Sequence, residues 1–343
     1  MQLTNFLSAA ALAATTFAQQ YPIQPVYQFA NSFSGLGYVN IENVAVRSTN
    51  NQLLLNFATG AIMAQINPDA ANPQPEVLVN ISSLYQGAPG SLTGIAEVSK
   101  DVYIVGAGRF QFGPQVPGGV AGVPGSFQIW SVDLNGPRAV ANQVVAIPEA
   151  NLLNGVAAVP TAPGVVLVAD SALGSIFRVD THAKTYERIL SLDVFLPGGG
   201  NNFGINGIHL QGGNLYFTNS AQGIFGRVPF GPRGYPGGPA VRIASAPNGT
   251  YFDDFALTKN GDAYIATQEN AISYVAAGSS QAQIIAGGGN STTLAGPTSC
   301  VLRNGELFVV TAGVGGGPMG PVSGGVFKIA VGAAKKMAKR WFA

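Results

Sequence analysis

Few residues in this chain carry conventional catalytic chemistry. His182 and His209 are the only histidines and Cys300 is the only cysteine. There is no nucleophile elbow, no HExxH pair, no paired-cysteine motif and no phosphate-binding loop leading into a helix. The run Gly198-Gly199-Gly200 follows Pro197 but precedes no helical pattern. Cys300, between Ser299 and Val301 in a strand-like run, reads as a small buried hydrophobe. What recurs instead is a polar residue at the head of a short apolar run. These heads are Glu42, Thr93, Asn154, Asn206, Asp253 and Thr298, spaced by 51, 61, 52, 47 and 45 residues. Such carboxyl, amide and hydroxyl groups can satisfy backbone groups in a hydrated channel or bind the oxygens of a ligand.

The elements that must position these heads are strands. Asn154-Gly155-Val156-Ala157 is followed by the β-rich run 165–168, and Asn206-Gly207-Ile208-His209 by 215–218. A third strand follows in several units, as at 128–132, 175–179 and 325–329. Units of about fifty residues with three or four strands are the signature of propeller blades. One blade cannot cover both of its faces, so the units must stack radially. The prediction is an all-β, six-bladed β-propeller over residues 19–332. The sixth unit lacks one strand, and Val26-Tyr27-Gln28-Phe29 can supply it and close the ring.

In a propeller the inner strands begin at one rim of the channel, so the six heads converge there. The second strands end at the same rim, which brings Asn56, Asp170, Asn219, Gln268 and Thr311 nearby. Two long Gly/Pro-rich loops, 106–125 and 313–324, fall on that rim, and the first carries Arg109, Phe110 and Phe112. Tyr38, Phe203, Tyr251 and Phe252 stand near the starts of inner strands. Together they predict an aromatic pocket above a polar floor. His182 reads as exposed in a turn, and His209 as an interblade side chain.

Composition bounds the partners. The chain has 343 residues, 17 Lys and Arg, 16 Asp and Glu, a net charge of +1, and 46 Gly with 22 Pro. So little charge excludes an electrostatic nucleic-acid binder. Residues 1–18 read as a secretory signal, and no later run has the ~20 apolar residues that span a bilayer. Sequons at Asn80, Asn248 and Asn290 agree with a secretory-pathway lumen or secreted location. Residues 333–343 form a basic tail.

The segments from Asn154-Gly155-Val156 to Asp170-Ser171 and from Asn206-Gly207-Ile208 to Asn219-Ser220 resemble the gluconolactonase and senescence-marker-protein superfamily of six-bladed propellers. That resemblance implies one divalent cation, Ca²⁺ or Zn²⁺, on Glu42, Asn154, Asn206 and Asp253, and metal-dependent lactone or ester hydrolysis. Thr93 stands where that superfamily has an Asn ligand. With its leader, sequons and Gly/Pro-rich rim loops, the chain is also similar to the fungal hetero-Diels–Alderases of tropolonic sesquiterpenoid biosynthesis. This second resemblance implies a cofactor-independent cycloaddition between a tropolone quinone methide and a humulene-type alkene. Asn154, Asn206, Thr93 and Arg109 would then activate the carbonyl. Tyr38, Phe110, Phe112, Phe203, Tyr251, Phe252, Asp170, Asn219, Gln268 and Thr298 would bind apolar small molecules. A secreted propeller that binds without catalysis is the third reading.

Overall fold

The computed structural model describes residues 20–85, 90–112, 116, 120–199, 202–247, 249–268, 270–289, 291–317 and 320–332. The expected secretory signal, the basic C-terminal residues 333–343, Asn248 and Asn290 lie outside them. Among the described residues, six antiparallel sheets of four principal strands form a six-bladed β-propeller. The innermost strands of blades 1 to 6 are Ile41–Val46, Gly90–Ser99, Leu153–Ala158, Ile205–Gln211, Tyr251–Leu257 and Pro297–Arg303. In blades 1 to 5 the chain then steps outward strand by strand.

The sequence pattern follows from this layering. Second strands are covered on both faces by neighbouring blades, and so read as near-continuous apolar runs. Leu53–Phe57 and Val165–Asp170 are buried at every position. Outer strands meet solvent on one side, and Thr185–Ser191 shows it in Glu187 and Arg188. The core is divided into clusters between blades. One joins Leu54 and Met63 of blade 1 to Tyr103 and Trp130 of blade 2. On the surface the same pair of blades is joined by Arg47, which donates from Nε and Nη2 to the two carboxylate oxygens of Asp101 at 2.8 and 3.0 Å.

The ring closes as the sequence predicts. Ile23–Gln28 is the outermost strand of blade 6 and pairs antiparallel with Gly325–Ile329, from Ile23 opposite Ile329 to Gln28 opposite Gly325. Tyr21 continues onto blade 5, its N–H donating to the Ile285 carbonyl at 2.7 Å. The N-terminal segment therefore ties two blades and covers an edge that would otherwise be open to pairing.

Each inner strand carries a one-residue β-bulge, and each bulge contains a head residue. Pairing skips Glu42 between Ile41 and Asn43, and Thr298 between Pro297 and Ser299. It shifts across Thr93-Gly94, Asn154-Gly155, Asn206-Gly207 and Asp253-Asp254 in the other four. A bulge breaks the strict alternation of a strand and re-aims a side chain. Here it is what the fifty-residue repeat repeats.

Candidate functional site

The inner strands approach so closely that three blades require glycine after the head residue. A Cβ on Gly94 would stand 2.4 Å from the Val156 nitrogen, and one on Gly155 2.5 Å from the Asn206 carbonyl oxygen. One on Gly207 would stand 2.1 Å from Asp254 Oδ1. Blades 5, 6 and 1 instead place Asp254, Ser299 and Asn43 at this position. Asn43 Nδ2 donates to Asp254 Oδ2 at 2.8 Å, and the Ser299 hydroxyl lies 3.3 Å from both Asn43 Oδ1 and Asp254 Oδ2. His209 Nε2 reaches Asp254 Oδ1 at 3.0 Å while its ring meets Phe255 edge-on at 4.7 Å. His209 is thus an interblade side chain with its polar atom satisfied.

Above this network the heads build an acidic floor. Burial pushes the Glu42 carboxyl up to about 7, and the negative charge of Asp254 adds to the effect. Burial also raises Asp253 well above the carboxylate range, reinforced by Glu42 and opposed by the amide of Gln268. Gln268 Nε2 donates to Asp253 Oδ2 at 3.1 Å and lies 3.0 Å from the Pro297 carbonyl. Among the described residues neither Glu42 nor Asp253 forms a salt bridge, and no three His, Cys, Asp or Glu side chains group as a metal centre.

A cavity of about 70 Å³ opens beside this floor. Glu42, Thr93 and Asn154 line its polar side together with Asn40, and its apolar walls are Phe110, Val120, Leu152 and Phe203. The second strand of blade 2, Val102–Phe112, runs past its blade and pairs with Val120–Gly122 as a raised hairpin. Asn202 Nδ2 donates to the Val120 carbonyl at 2.9 Å and pins this hairpin to the segment that carries Phe203. A second hairpin, Gly313–Gly317 with Gly320–Ser323, rises from blade 6. Blade 1 lies between these two blades, and its own connection from Phe57 to Ile62 is short. At about 70 Å³ the cavity is far below the several hundred Å³ of an ordinary ligand pocket.

Thr93 Oγ1, Asn40 Oδ1, Asn56 Oδ1 and Asn206 Oδ1 are buried without a hydrogen-bond partner among the described residues. Each such atom costs about 1–3 kcal/mol unless something binds it. Thr93 and Asn40 line the cavity directly. Asn206 binds Ser220 through its amide nitrogen at 2.9 Å.

Of the residues singled out from sequence, Glu42, Thr93, Asn154, Phe110 and Phe203 are brought together here. Others support the site from outside. Asp170 is fully buried and accepts from the N–H groups of Asn151, Leu152, Ala172 and Leu173, which sets the Leu152 wall. Asn219 donates to the Val194 and Leu196 carbonyls, and the Thr298 hydroxyl donates to the Ile41 carbonyl at 2.6 Å. Tyr38 OH donates to the Ala312 carbonyl at 2.5 Å, at the base of the blade 6 hairpin. Phe252 packs with Phe225 and Phe255 between blades, and Tyr251 is exposed. Arg109 does not line the cavity and its charge acts on Tyr85. Phe112 lies at the end of its strand, with its side chain outside the described residues. Asn80 is exposed at the end of Glu76–Asn80, His182 is exposed, and Cys300 is buried with its Sγ 3.2 Å from the Tyr264 carbonyl. Asn40 and Leu152 escaped sequence reasoning because each stands two residues before its strand head, Glu42 and Asn154, at a position where the repeat keeps no common residue type. Val120 escaped it inside a Gly/Pro-rich loop.

No family model matches the chain. It is 28% identical over 290 residues to a Phoma sp. protein named "Putative hetero-Diels-Alderase", spanning 78% of this chain and 80% of that one. It is 30% identical over 217 residues to a protein of Sarocladium schorii with the same designation. That match spans 57% of this chain and 52% of the relative, so the chain spans about half of that relative's length. Regucalcin of Agrobacterium tumefaciens, a calcium-binding protein, superposes with a TM-score of 0.60 at 12% identity, over 91% of this chain and 95% of that one. The chain is therefore a six-bladed β-propeller with the fold of regucalcin, and its sequence resembles proteins named as hetero-Diels–Alderases.

Proposed function

We propose that this protein is a hetero-Diels–Alderase, coupling a tropolone quinone methide to a humulene-type sesquiterpene without a cofactor, in the secretory lumen or outside the cell. The sequence similarity to two proteins of that designation carries the reading. The site supports it, because it offers hydrogen bonds beside aromatic walls. A cycloaddition needs two apolar reactants held face to face, and a correct pose supplies roughly 7–11 kcal/mol of the barrier. The floor then acts on charge. As the heterodiene carbonyl gains negative charge in the transition state, a hydrogen bond from Thr93 or Asn154 stabilises it more than the ground state. Phe110, Phe203 and Leu152 exclude water and hold the rings. The test is incubation of purified protein with the quinone-methide precursor and the alkene, followed by chiral analysis of the adduct.

A second reading draws on the raised carboxyls. Glu42 and Asp253 with the Asn154 and Asn206 amides are oxygen donors of the kind that suits a hard divalent cation, and the orphaned Asn206 Oδ1 fits such a set. A bound cation would polarise a lactone carbonyl for hydrolysis. Lactonase activity that rises with added Ca²⁺ or Zn²⁺ and is lost to a chelator would establish this reading over the first.

A further inference from the structure

We propose that the groove between the outer strands of blades 4 and 5 is a second binding site, which takes a small molecule with an apolar ring system and one oxyanion. The site is separate from the rim cavity and does not rest on the cycloaddition. It includes the turn at Asn260 and Gly261, which follows Tyr251–Leu257 at the end of that strand away from Asp253.

The blade repeat supplies an internal comparison. The fourth residue of the third or closing-side strand is a cation in three blades: Arg178 in Ser175–Asp180, Arg227 in Ile224–Pro229 and Lys328 in Gly325–Ile329. Blade 3 neutralises its cation, because Arg178 stands opposite Glu187, 3.4 Å away, and covers the Tyr235 ring at 4.8 Å. Blade 6 does the same with Lys328 and Glu306 at 3.5 Å. In blade 4 the residue opposite Arg227 is Val241, and Arg227 forms no salt bridge among the described residues. The position that holds a carboxylate in blade 3 thus holds an exposed apolar side chain in blade 4.

That charge faces a space of ligand size. The groove encloses about 430 Å³, within the several hundred Å³ of an ordinary ligand pocket. Tyr216, Phe225 and Ile243 give it an apolar wall, with the Tyr216 and Phe225 rings stacked at 6.0 Å. Arg242, one register step from Arg227 on the neighbouring strand, lines it too, and no lining residue is acidic. Arg242 Nη2 donates to Ser245 Oγ at 2.7 Å, which leaves most of its five N–H donors for a ligand. An apolar wall beside guanidinium groups that lack a carboxylate suits an amphiphilic anion, whose oxygens accept charge-assisted hydrogen bonds while its rings cover the wall.

The test is fluorescence titration of the full chain with anilinonaphthalene sulfonate and with phenylnaphthylamine, a similar ring system without the charge. Wild type should bind the sulfonate about tenfold or more tightly than the neutral dye. Val241→Glu gives blade 4 the pair that blade 3 has, and should weaken sulfonate binding about tenfold while leaving the neutral dye unchanged. Arg227→Gln should act in the same way, and it carries the test should the glutamate variant fail to fold. Arg178→Gln, on the equivalent paired position, should alter neither affinity. Equal affinities for the two dyes, no binding of the sulfonate, or undiminished sulfonate binding in Val241→Glu or Arg227→Gln would overturn the proposal. So would an equal loss in Arg178→Gln, which would mark dye uptake outside the groove.

Discussion

The Asn43 amide donates a 2.8 Å hydrogen bond to the carboxylate of Asp254, reaching from blade 1 to blade 5 past the inner strand of blade 6. Ser299 of blade 6 lies between them, 3.3 Å from each. Three blades are thus joined by side chains at the level where the other three are joined by glycine contacts. The inner ring has a polar arc and a tightly packed arc, and the rim cavity is built by blades 1 to 3 with the segment carrying Phe203, partly over the packed arc.

Removing the carboxylate should be costly. Asp254→Ala leaves the Asn43 donor and the His209 nitrogen without their partner in the channel. We expect a loss of about 3 kcal/mol in urea unfolding. A change within about 0.5 kcal/mol would show that water replaces the carboxylate without penalty.

The packed arc gives an opposite kind of test. Gly155→Ala puts a methyl group 2.5 Å from the Asn206 carbonyl oxygen and 2.8 Å from the Ile208 nitrogen, both backbone atoms of the next blade. Stability should fall by at least about 1–3 kcal/mol. Gly37→Ala, with nothing within 4 Å of its new methyl, should be neutral.

Much of this organisation is legible in sequence, for a physical reason. The head residues occupy the same bulge in every blade, so their spacing is the blade period, and the second strands read as apolar runs because both faces are covered. The closing strand was visible as the missing partner of Gly325–Ile329. The site is less legible, because a propeller repeats its scaffold and not its rim. Asp170 and Asn219 share polarity and rim position with the cavity-lining residues, yet their side chains hold backbone groups. Phe252 has the same chemistry as Phe203, and only the coordinates separate an interblade ring from a cavity wall.

The raised Glu42 carboxyl sets the direction of a pH effect. Its pKa rises from 4.5 to about 7 on folding, so between these values the folded state binds more protons than the unfolded chain. Its contribution to stability therefore declines as pH increases from about 4.5 to 7, and Asp253 acts in the same sense. Glu42→Gln should raise the Tm at pH 8 and have little effect at pH 4.5. A Tm difference independent of pH would contradict the buried carboxyl.

The walls should matter through pose. Phe110→Ala and Phe203→Ala each remove a ring facing the cavity. Each should lower kcat/KM for cycloaddition by about tenfold or more, with a loss of adduct stereoselectivity. Tyr251→Ala, which alters an exposed ring outside the cavity lining, should change neither.

The most direct measurement is the enantiomeric excess of the adduct formed from a tropolone quinone methide and a humulene-type alkene with and without the protein. The account predicts one enantiomer, formed faster than in buffer, and loss of that excess in Phe110→Ala. A racemic adduct at the buffer rate would contradict it.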